Sequence, residues 1–492
     1  MDILVSVLRF IGILFLVIMM FNIMIVVHEW GHFLAGRWRG LHIDRFQIWF
    51  GKPIWKKTYN GVQYGLGSIP AGGFVSLPQM APMEGIEGKV EDGEEGEEKP
   101  KVLPPISALD KIIVAAAGPL FSLLLACVFA CIVWVVKKPV SESVATTVVG
   151  MVAPGTPAEK AGLLPGDKIT FVDGKEVLRF QGMDRSIMWA IISSDNQDIE
   201  VDFIRPGKGE MSVVVERPAK AELAVVEGSV LKKFWARISA RPPLRMIGIR
   251  PQLSAVVGRV MENSPAEIAG LETGDIITHL NGEPSASQFA VSNFEWKGGE
   301  TVKLKLLRGE ETIEKEITPR VPEVDGTRAM LGVAWDGDGI RKLVRENPVT
   351  QVVNSFKSIT KTLGAVFSPK SDVKAGHLSG PIGIMGLYYD LFQHSEGWRL
   401  ALWFSVLLNV NLAILNMLPF PVLDGGHIVM ASLEAVRRKP IPFKVLEVVQ
   451  TAFVLMLLGF MAFVTLKDVG DRVPNGAAPS EQKLPKFLPL KK

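Results

Sequence analysis

Four apolar runs constrain this chain more than any other feature. Ile3 to about Val27, about Ile112 to Val136, about Leu400 to Leu418 and about Val445 to Leu466 reach or approach the ~20 apolar residues that a helix needs to cross a hydrocarbon core. Backbone polar groups find no water there, so each run is expected to fold as a transmembrane helix that bonds its own backbone. The first run is interrupted only by Ser6, Arg9 and Asn22. It lacks a basic leader and a small-residue cleavage site and is too long for a signal-peptide core, so it is expected to be retained. The region between the second and third runs is soluble in character. This mixture accounts for a composition of 48% hydrophobic and 21% charged residues, too apolar for a soluble enzyme and too charged for spans alone. At 492 residues, several domains are expected. A net charge of +3 gives no polyelectrolyte character, so nucleic acid is not an expected partner. Cys127 and Cys131 share one helix face in the second run as small packing or lipid-facing residues, with no disulfide framework.

Basic flanks orient the spans, because cytoplasmic loops are enriched in Lys and Arg. Arg37, Arg39, Arg45, Lys52, Lys56 and Lys57 follow the first run, and Arg437, Arg438 and Lys439 lie between the third and fourth. Both connections are therefore expected in the cytoplasm, with the long region from about 140 to 395 and both termini outside. Lys137 and Lys138 pull weakly the other way. An acidic, glycine-rich tract from Glu84 to Glu98 reads as a solvated insertion.

The external region contains an internal repeat. Thr156-Pro-Ala-Glu-Lys-Ala-Gly-Leu-Leu-Pro-Gly-Asp-Lys-Ile-Thr-Phe-Val-Asp-Gly174 aligns without gaps on Ser264-Pro-Ala-Glu-Ile-Ala-Gly-Leu-Glu-Thr-Gly-Asp-Ile-Ile-Thr-His-Leu-Asn-Gly282. In each copy Ser/Thr-Pro opens a short helix, Ala-Gly-Leu closes it, Gly-Asp turns the chain, and an alternating strand ends at Asp-Gly or Asn-Gly. The pattern resembles the PDZ domain in two tandem copies, which implies recognition of an extended peptide or a substrate ectodomain by strand addition. A folded plug without a ligand is the alternative. No carboxylate-binding loop is legible in either copy.

His28-Glu29-Trp30-Gly31-His32 continues directly from the first apolar run. Residues four apart on a helix share a face, so both imidazoles can reach one ion with Glu29 beside them as a base. Ionisable groups at the end of a span are costly and are retained mainly for function, although an interfacial cluster at headgroup level is a possible reading. A catalytic zinc also needs a third protein ligand. The candidate lies in Asn411-Leu-Ala-Ile-Leu-Asn416-Met-Leu-Pro419-Phe-Pro421-Val-Leu-Asp424-Gly425-Gly426-His427, where the third run breaks at Pro-x-Pro before a carboxylate. Both constellations fall at the cytoplasmic end of their spans, as a shared site requires. Two glycines are expected to let the backbone turn tightly, so that Asp424 points back at the ion.

Together, the HExxH at the end of the first span, the repeats between the second and third, and the Asn-x4-Asn-x2-Pro-x-Pro-x2-Asp-Gly-Gly-His run resemble the site-2 protease family of intramembrane zinc metalloproteases over nearly the whole chain. The resemblance implies zinc held by His28, His32 and Asp424, with Glu29 activating water. It implies substrate contacts from Asn411, Asn416, Pro419, Pro421, Gly65 and Gly67. Tyr64 to Val75 is similar to the family's membrane-re-entrant β-hairpin loop, with Gly65 and Gly67 in its glycine-rich motif. His427 is not a ligand in that pattern. The implied fold is a multi-pass α-helical membrane protein with four transmembrane helices and two tandem periplasmic PDZ domains, in a bacterial inner membrane, with the active site near the cytoplasmic side. The implied substrates are single-span membrane proteins, such as an anti-sigma factor, after a first external cleavage; signal-peptide remnants are equally admissible. The repeats would act as a size filter.

The expected organisation is a first span with HExxH at 1–36, a cytoplasmic loop with the hairpin and acidic insertion at 37–106, and a second span at 107–138. PDZ copies follow at 143–222 and 240–322, amphipathic linker helices at 338–370, a third span at 380–426, a fourth at 443–467 and a tail at 468–492. Amphipathic spacing is read from Ile340 to Phe367. A membrane-anchored PDZ scaffold or chaperone without catalysis is the alternative from another class, against which the complete ligand set and base speak. A metal transporter would also pair ligands within the membrane, but peptide-binding repeats and a base beside the metal favour hydrolysis.

Overall fold

The computed structural model describes residues 2–80, 104, 106–218, 229, 244–284, 287–324, 327–368, 371–394, 396–438, 443–472 and 486–489. The acidic tract at 84–98, Lys439 and most of the tail lie outside the described residues. The chain divides into two compact units, one of Met1–Lys138, Arg345–Ile359 and Ser379–Asp471, the other of Pro139–Val344, Thr360–Leu378 and Arg472–Lys492.

In chain order the first unit carries α1 (Asp2–Trp38), β1 (Arg45–Phe50), β2 (Trp55–Tyr59), β3 (Val62–Leu66), β4 (Ile69–Ser76) and α2 (Ala108–Val136). The start of α3 (Pro348–Phe367) follows, then α4 (Pro381–Phe392), α5 (Gly397–Asn416), α6 (Asp424–Arg437) and α7 (Phe443–Arg472). Within α1, α2, α5 and α7 lie the four described segments long and apolar enough to cross a membrane: Leu4–Trp38, Ala108–Val136, Gly397–Asn416 and Leu446–Gly470. A capping box opens α2: the Asp110 N–H donates to Ser107 Oγ at 3.1 Å, and the Ser107 N–H to Asp110 Oδ2 at 3.3 Å. Two polar interruptions of the first run have partners, as polar groups in an apolar surround must. Arg9 donates to the Gln393 carbonyl at 2.7 Å, and Asn22 donates to Ile18 O and accepts from the Trp49 indole.

Tyr64 to Val75 does not fold back on itself as the expected hairpin. The strand order is β2-β3-β1-β4, with β1 parallel to β3 and antiparallel to β4. The chain crosses β1 at Gly67, whose N–H donates to Ile48 O at 2.8 Å. A Cβ at Gly67 would stand 2.3 Å from Phe50 O, so only glycine admits this crossing. The sheet packs through Val62 and Val75 on Phe33 and Ile43, leaving β4 as its edge strand beside α1. The amphipathic helix likewise starts later than Ile340. Arg341–Val344 is extended and α3 begins at Pro348, because a residue preceding proline is driven out of the helical region.

In the second unit the two repeat copies fold with one element order. The first has strands Val149–Val152, Lys168–Val172, Lys175–Glu176, Asp198–Arg205, Gly209–Glu216 and Ile249–Pro251, with helices Pro157–Lys160 and Ile187–Ser193. The second has Ala255–Val260, Ile276–Leu280, Glu283–Pro284, Val302–Arg308, Glu311–Ile317 and Val333–Trp335, with helices Pro265–Ile268 and Gln288–Ser292. Alternation buries Ile199, Val201 and Phe203 in one core and Val302, Leu304 and Leu306 in the other. Each lobe closes on a strand outside its expected range. Ile249–Pro251 pairs with Val149–Val152, and Val333–Trp335 with Ala255–Val260, so the boundary at 240 falls inside the first lobe and the second continues past 322. The closing segments extend the repeat: Met246-Ile-Gly248-Ile matches Met330-Leu-Gly332-Val. Both glycines have φ in the left-handed region, and a Cβ on either would lie 2.3 Å from the Cβ of the Thr156 or Ser264 helix cap.

Candidate metal centre

All the site residues belong to the first unit. His28, Glu29 and His32 lie on the third-last and second-last turns of α1, where the apolar run hands over to polar sequence. Asp424 opens α6, in the first turn where the helix dipole favours a carboxylate. Its Oδ2 is 3.3 Å from His28 Nε2 and its Oδ1 3.3 Å from His32 Nε2, while the two Nε2 atoms are 3.3 Å apart. Ligand atoms of these three residues all lie within 4.8 Å of one another.

The outer ring nitrogens decide where the inner ones point. His32 Nδ1 donates to the Val114 carbonyl at 2.8 Å, an atom that only accepts, so in the neutral ring the Nε2 lone pair faces Asp424. His28 Nδ1 pairs with Ser122 Oγ at 2.9 Å. Both partners come from α2, which lies against α1 because glycines stand at the crossing. A Cβ at Gly31 would be 2.5 Å from Ala117 O, and one at Gly118 2.2 Å from His32 Nε2. Pro119, within α2, denies one helical bond to the turn that presents the Val114 carbonyl.

Asp424 is held without a tight glycine turn, contrary to expectation. Gly425 and Gly426 are helical and neither has positive φ. They are needed for space, since a Cβ on Gly425 would be 2.3 Å from Met417 O and one on Gly426 2.0 Å from Phe420 O. This close approach folds the start of α6 onto the Pro419–Pro421 link, where the Leu423 N–H donates to Phe420 O at 2.9 Å.

The other expected site residues divide. Asn416, the last residue of α5, brings Nδ2 to 3.3 Å from His28 Nε2 and joins the cluster. Asn411 is five positions earlier, about 140° around the helix, on another face. Its described surroundings show no polar contact with the donors; Asn409, seven before Asn416, shares that residue's face and is fully buried. Pro419 is exposed and Pro421 half-buried on the link between α5 and α6. Gly65 and Gly67 sit on and just after β3, packed on Gln47 and on the Trp49 and Phe50 backbone within the sheet. Glu29 is half-buried with the Val75 backbone of β4 near it, which sets the sheet edge beside the base. His427 is buried and stands outside the three-donor group. Sequence reasoning missed Ser122, the Val114 carbonyl, Gly118 and Gly31. A polar residue and a Gly-Pro pair inside the second apolar run were the available signals.

The donor set fits zinc. Two imidazoles and a carboxylate with one position left open form the catalytic arrangement for that ion. Asp424 Oδ2 is buried and has no hydrogen-bond partner among the described residues, as suits an atom that faces a cation. A profile of Peptidase family M50 matches residues 16–460. The chain belongs to peptidase family M50. It is therefore a metalloprotease, and the metal of its family is zinc. The Regulator of sigma E protease of Haemophilus influenzae is 29% identical to this M50 chain over 474 residues, spanning 91% of this chain and 96% of the relative. A Neisseria meningitidis relative whose name includes the words zinc metalloprotease is 30% identical over 470 residues, spanning 91% and 96%. Among solved structures, the PDZ domain of an SdrC-like protein from Listeria monocytogenes covers 17% of this M50 chain and 90% of its own, with 25% identity and a TM-score of 0.16.

Proposed function

We propose that this chain is a site-2-type intramembrane endopeptidase that cuts within the transmembrane segment of a single-span membrane protein already trimmed on its outer side. The observation that carries the proposal is the convergence of His28, His32 and Asp424 beside Glu29, at the end of a helix apolar enough to cross a bilayer. Zinc held by His28, His32 and Asp424 would supply a Lewis acid for the scissile carbonyl and would lower the pKa of a bound water toward about 7. Glu29 takes the proton of the attacking water and returns it to the leaving amine.

A substrate helix hides its carbonyls in its own hydrogen bonds and must unwind to be cut. The outer edge of β4 offers sheet bonds in exchange, beside the base it already approaches through Val75. Asn416 is placed to satisfy a substrate carbonyl next to the donors, and Pro419 and Pro421 shape the adjoining break. Gly65 and Gly67 serve this function indirectly, by letting the sheet close tightly around β1. For Asn411 a substrate contact rests on family resemblance alone.

Basic flanks support a cytoplasmic-side active site in a bacterial inner membrane, and a periplasmic position for the two lobes, which we assign as tandem PDZ domains. Lying on the face opposite the cut, they select rather than cleave, and we assign them the role of a size filter. The name of the Haemophilus relative supports a role in the regulation of a sigma factor, and the family resemblance adds an anti-sigma factor as the substrate class. The deciding experiment measures zinc content together with cleavage of a single-span reporter. Glu29→Gln is expected to retain zinc and lose cleavage by about 10²-fold or more; equal processing by the two chains would sink the proposal.

A further inference from the structure

The described end of the tail, Lys486–Leu488, is seated on the second lobe. Lys486 and Val324 form an antiparallel bridge, with Val324 N–H to Lys486 O at 3.2 Å and Lys486 N–H to Val324 O at 3.0 Å. Two residues on, the Leu488 N–H donates to Glu323 Oε2 at 2.9 Å and Arg320 Nη2 donates to Leu488 O at 3.2 Å. In an extended chain residues two apart turn the same backbone edge to a partner, so all four backbone groups of Lys486 and Leu488 are read by the lobe. Phe487 between them is 4% exposed, with the Arg320 guanidinium 5.3 Å from its ring centroid. Its ring lies against Gly332, where a Cβ would be 2.8 Å from Phe487 Cε2. The Leu488 N–H, foremost, holds the Glu323 carboxyl below its usual value.

The sequence around this tripeptide is suited to the site. Pro485 and Pro489 bracket it. Proline drives the preceding residue to extended backbone, which favours the strand conformation at Leu488, and it lacks an N–H, which stops pairing from spreading. The segment lies beyond the residues matched by the family profile, which end at 460. In the first lobe the counterparts of Gly332 and Met261, Gly248 and Ala153, line a cavity of about 820 Å³ that second-lobe residues such as Gln288 and Phe289 also line. The second lobe has the same corner with an aromatic ring in it.

We propose that Lys486–Leu488 is the resident ligand of an extended-peptide site on the second lobe, formed by Arg320, Glu323, Val324 and Gly332, and that this site opens to an extended, aromatic-centred segment of another polypeptide only when the tail leaves. The proposal is independent of the catalytic reading, since it concerns the lobe alone.

The test uses the full chain in detergent, with a labelled peptide of the sequence of residues 484–492 as the probe. Phe487→Ala weakens the resident competitor, so it is expected to bind the peptide at least about tenfold more tightly than the wild type. Adding Arg320→Ala to that chain is expected to abolish the gain. In parallel, the Val324 amide is expected to exchange about tenfold faster in Phe487→Ala than in the wild type. Glu323→Gln, which weakens the bond from Leu488 in resident tail and added peptide alike, is expected to speed Val324 exchange without the gain in peptide affinity. Equal peptide affinity in wild type and Phe487→Ala, or unchanged Val324 exchange, overturns the proposal.

Discussion

At the residue scale, the centre depends on groups that never touch a substrate. Ser122 and the Val114 carbonyl orient His28 and His32 from 94 and 82 positions away in the chain. Outer partners of this kind are worth about 10–100-fold in metal affinity. Ser122→Ala is therefore expected to weaken zinc binding by that factor, read by competition with a chelator, while helix content stays unchanged. The two histidines and the aspartate were legible because ligand chemistry and i, i+4 spacing are local properties. Ser122 was not, because a serine in an apolar run carries no mark of what it faces. The glycines after Asp424 were legible as small residues but not for their reason: they make room for the carbonyls of Met417 and Phe420 instead of supplying a left-handed turn.

At the element scale, the same clamp closes both lobes. Arg205 binds Asp167 through Nε and Nη2 at 2.7 Å each, and Arg308 binds Asp275 in the same way at 2.8 Å. Burial pushes the Asp275 carboxyl up, but the Arg308 bonds and the Glu272 N–H outweigh it and hold the group below the usual carboxylate value. A depressed acid contributes stability that is fully present above its unfolded value, about 3.9, and is lost as pH falls through the lower folded value. Amides of Val302–Arg308 are expected to lose exchange protection as pH drops below that range. In Asp275→Asn the loss is expected already at neutral pH, at about 1–3 kcal/mol, because Arg308 is left without its partner. The repeat exposed both aspartates in the sequence, yet their arginines lie outside the aligned blocks, 38 and 33 positions away. Strand pairing was harder still. β3 and β4 are consecutive in sequence, but β1, from earlier in the chain, lies between them.

At the scale of the whole molecule, the proposed size filter is a claim about two separate compact units, one with the metal donors and one with the lobes. If the lobes exclude bulk, deleting both of them should let the enzyme cut a substrate whose external domain is intact, by at least about tenfold over the full chain. Cleavage that remains absent, with the trimmed reporter still cut, would rule out the filter. Spans, repeat and candidate donors could all be determined from the sequence by itself, because hydrophobic run length, residue spacing and ligand chemistry are written in consecutive residues. Tertiary structure alone decided which strand closes each lobe, what orients the histidines, and where Phe487 goes. Those outcomes depend on close approach between distant segments. A Cβ that cannot fit at Gly118 and a ring that fits against Gly332 are properties of the packed chain, not of its local pattern.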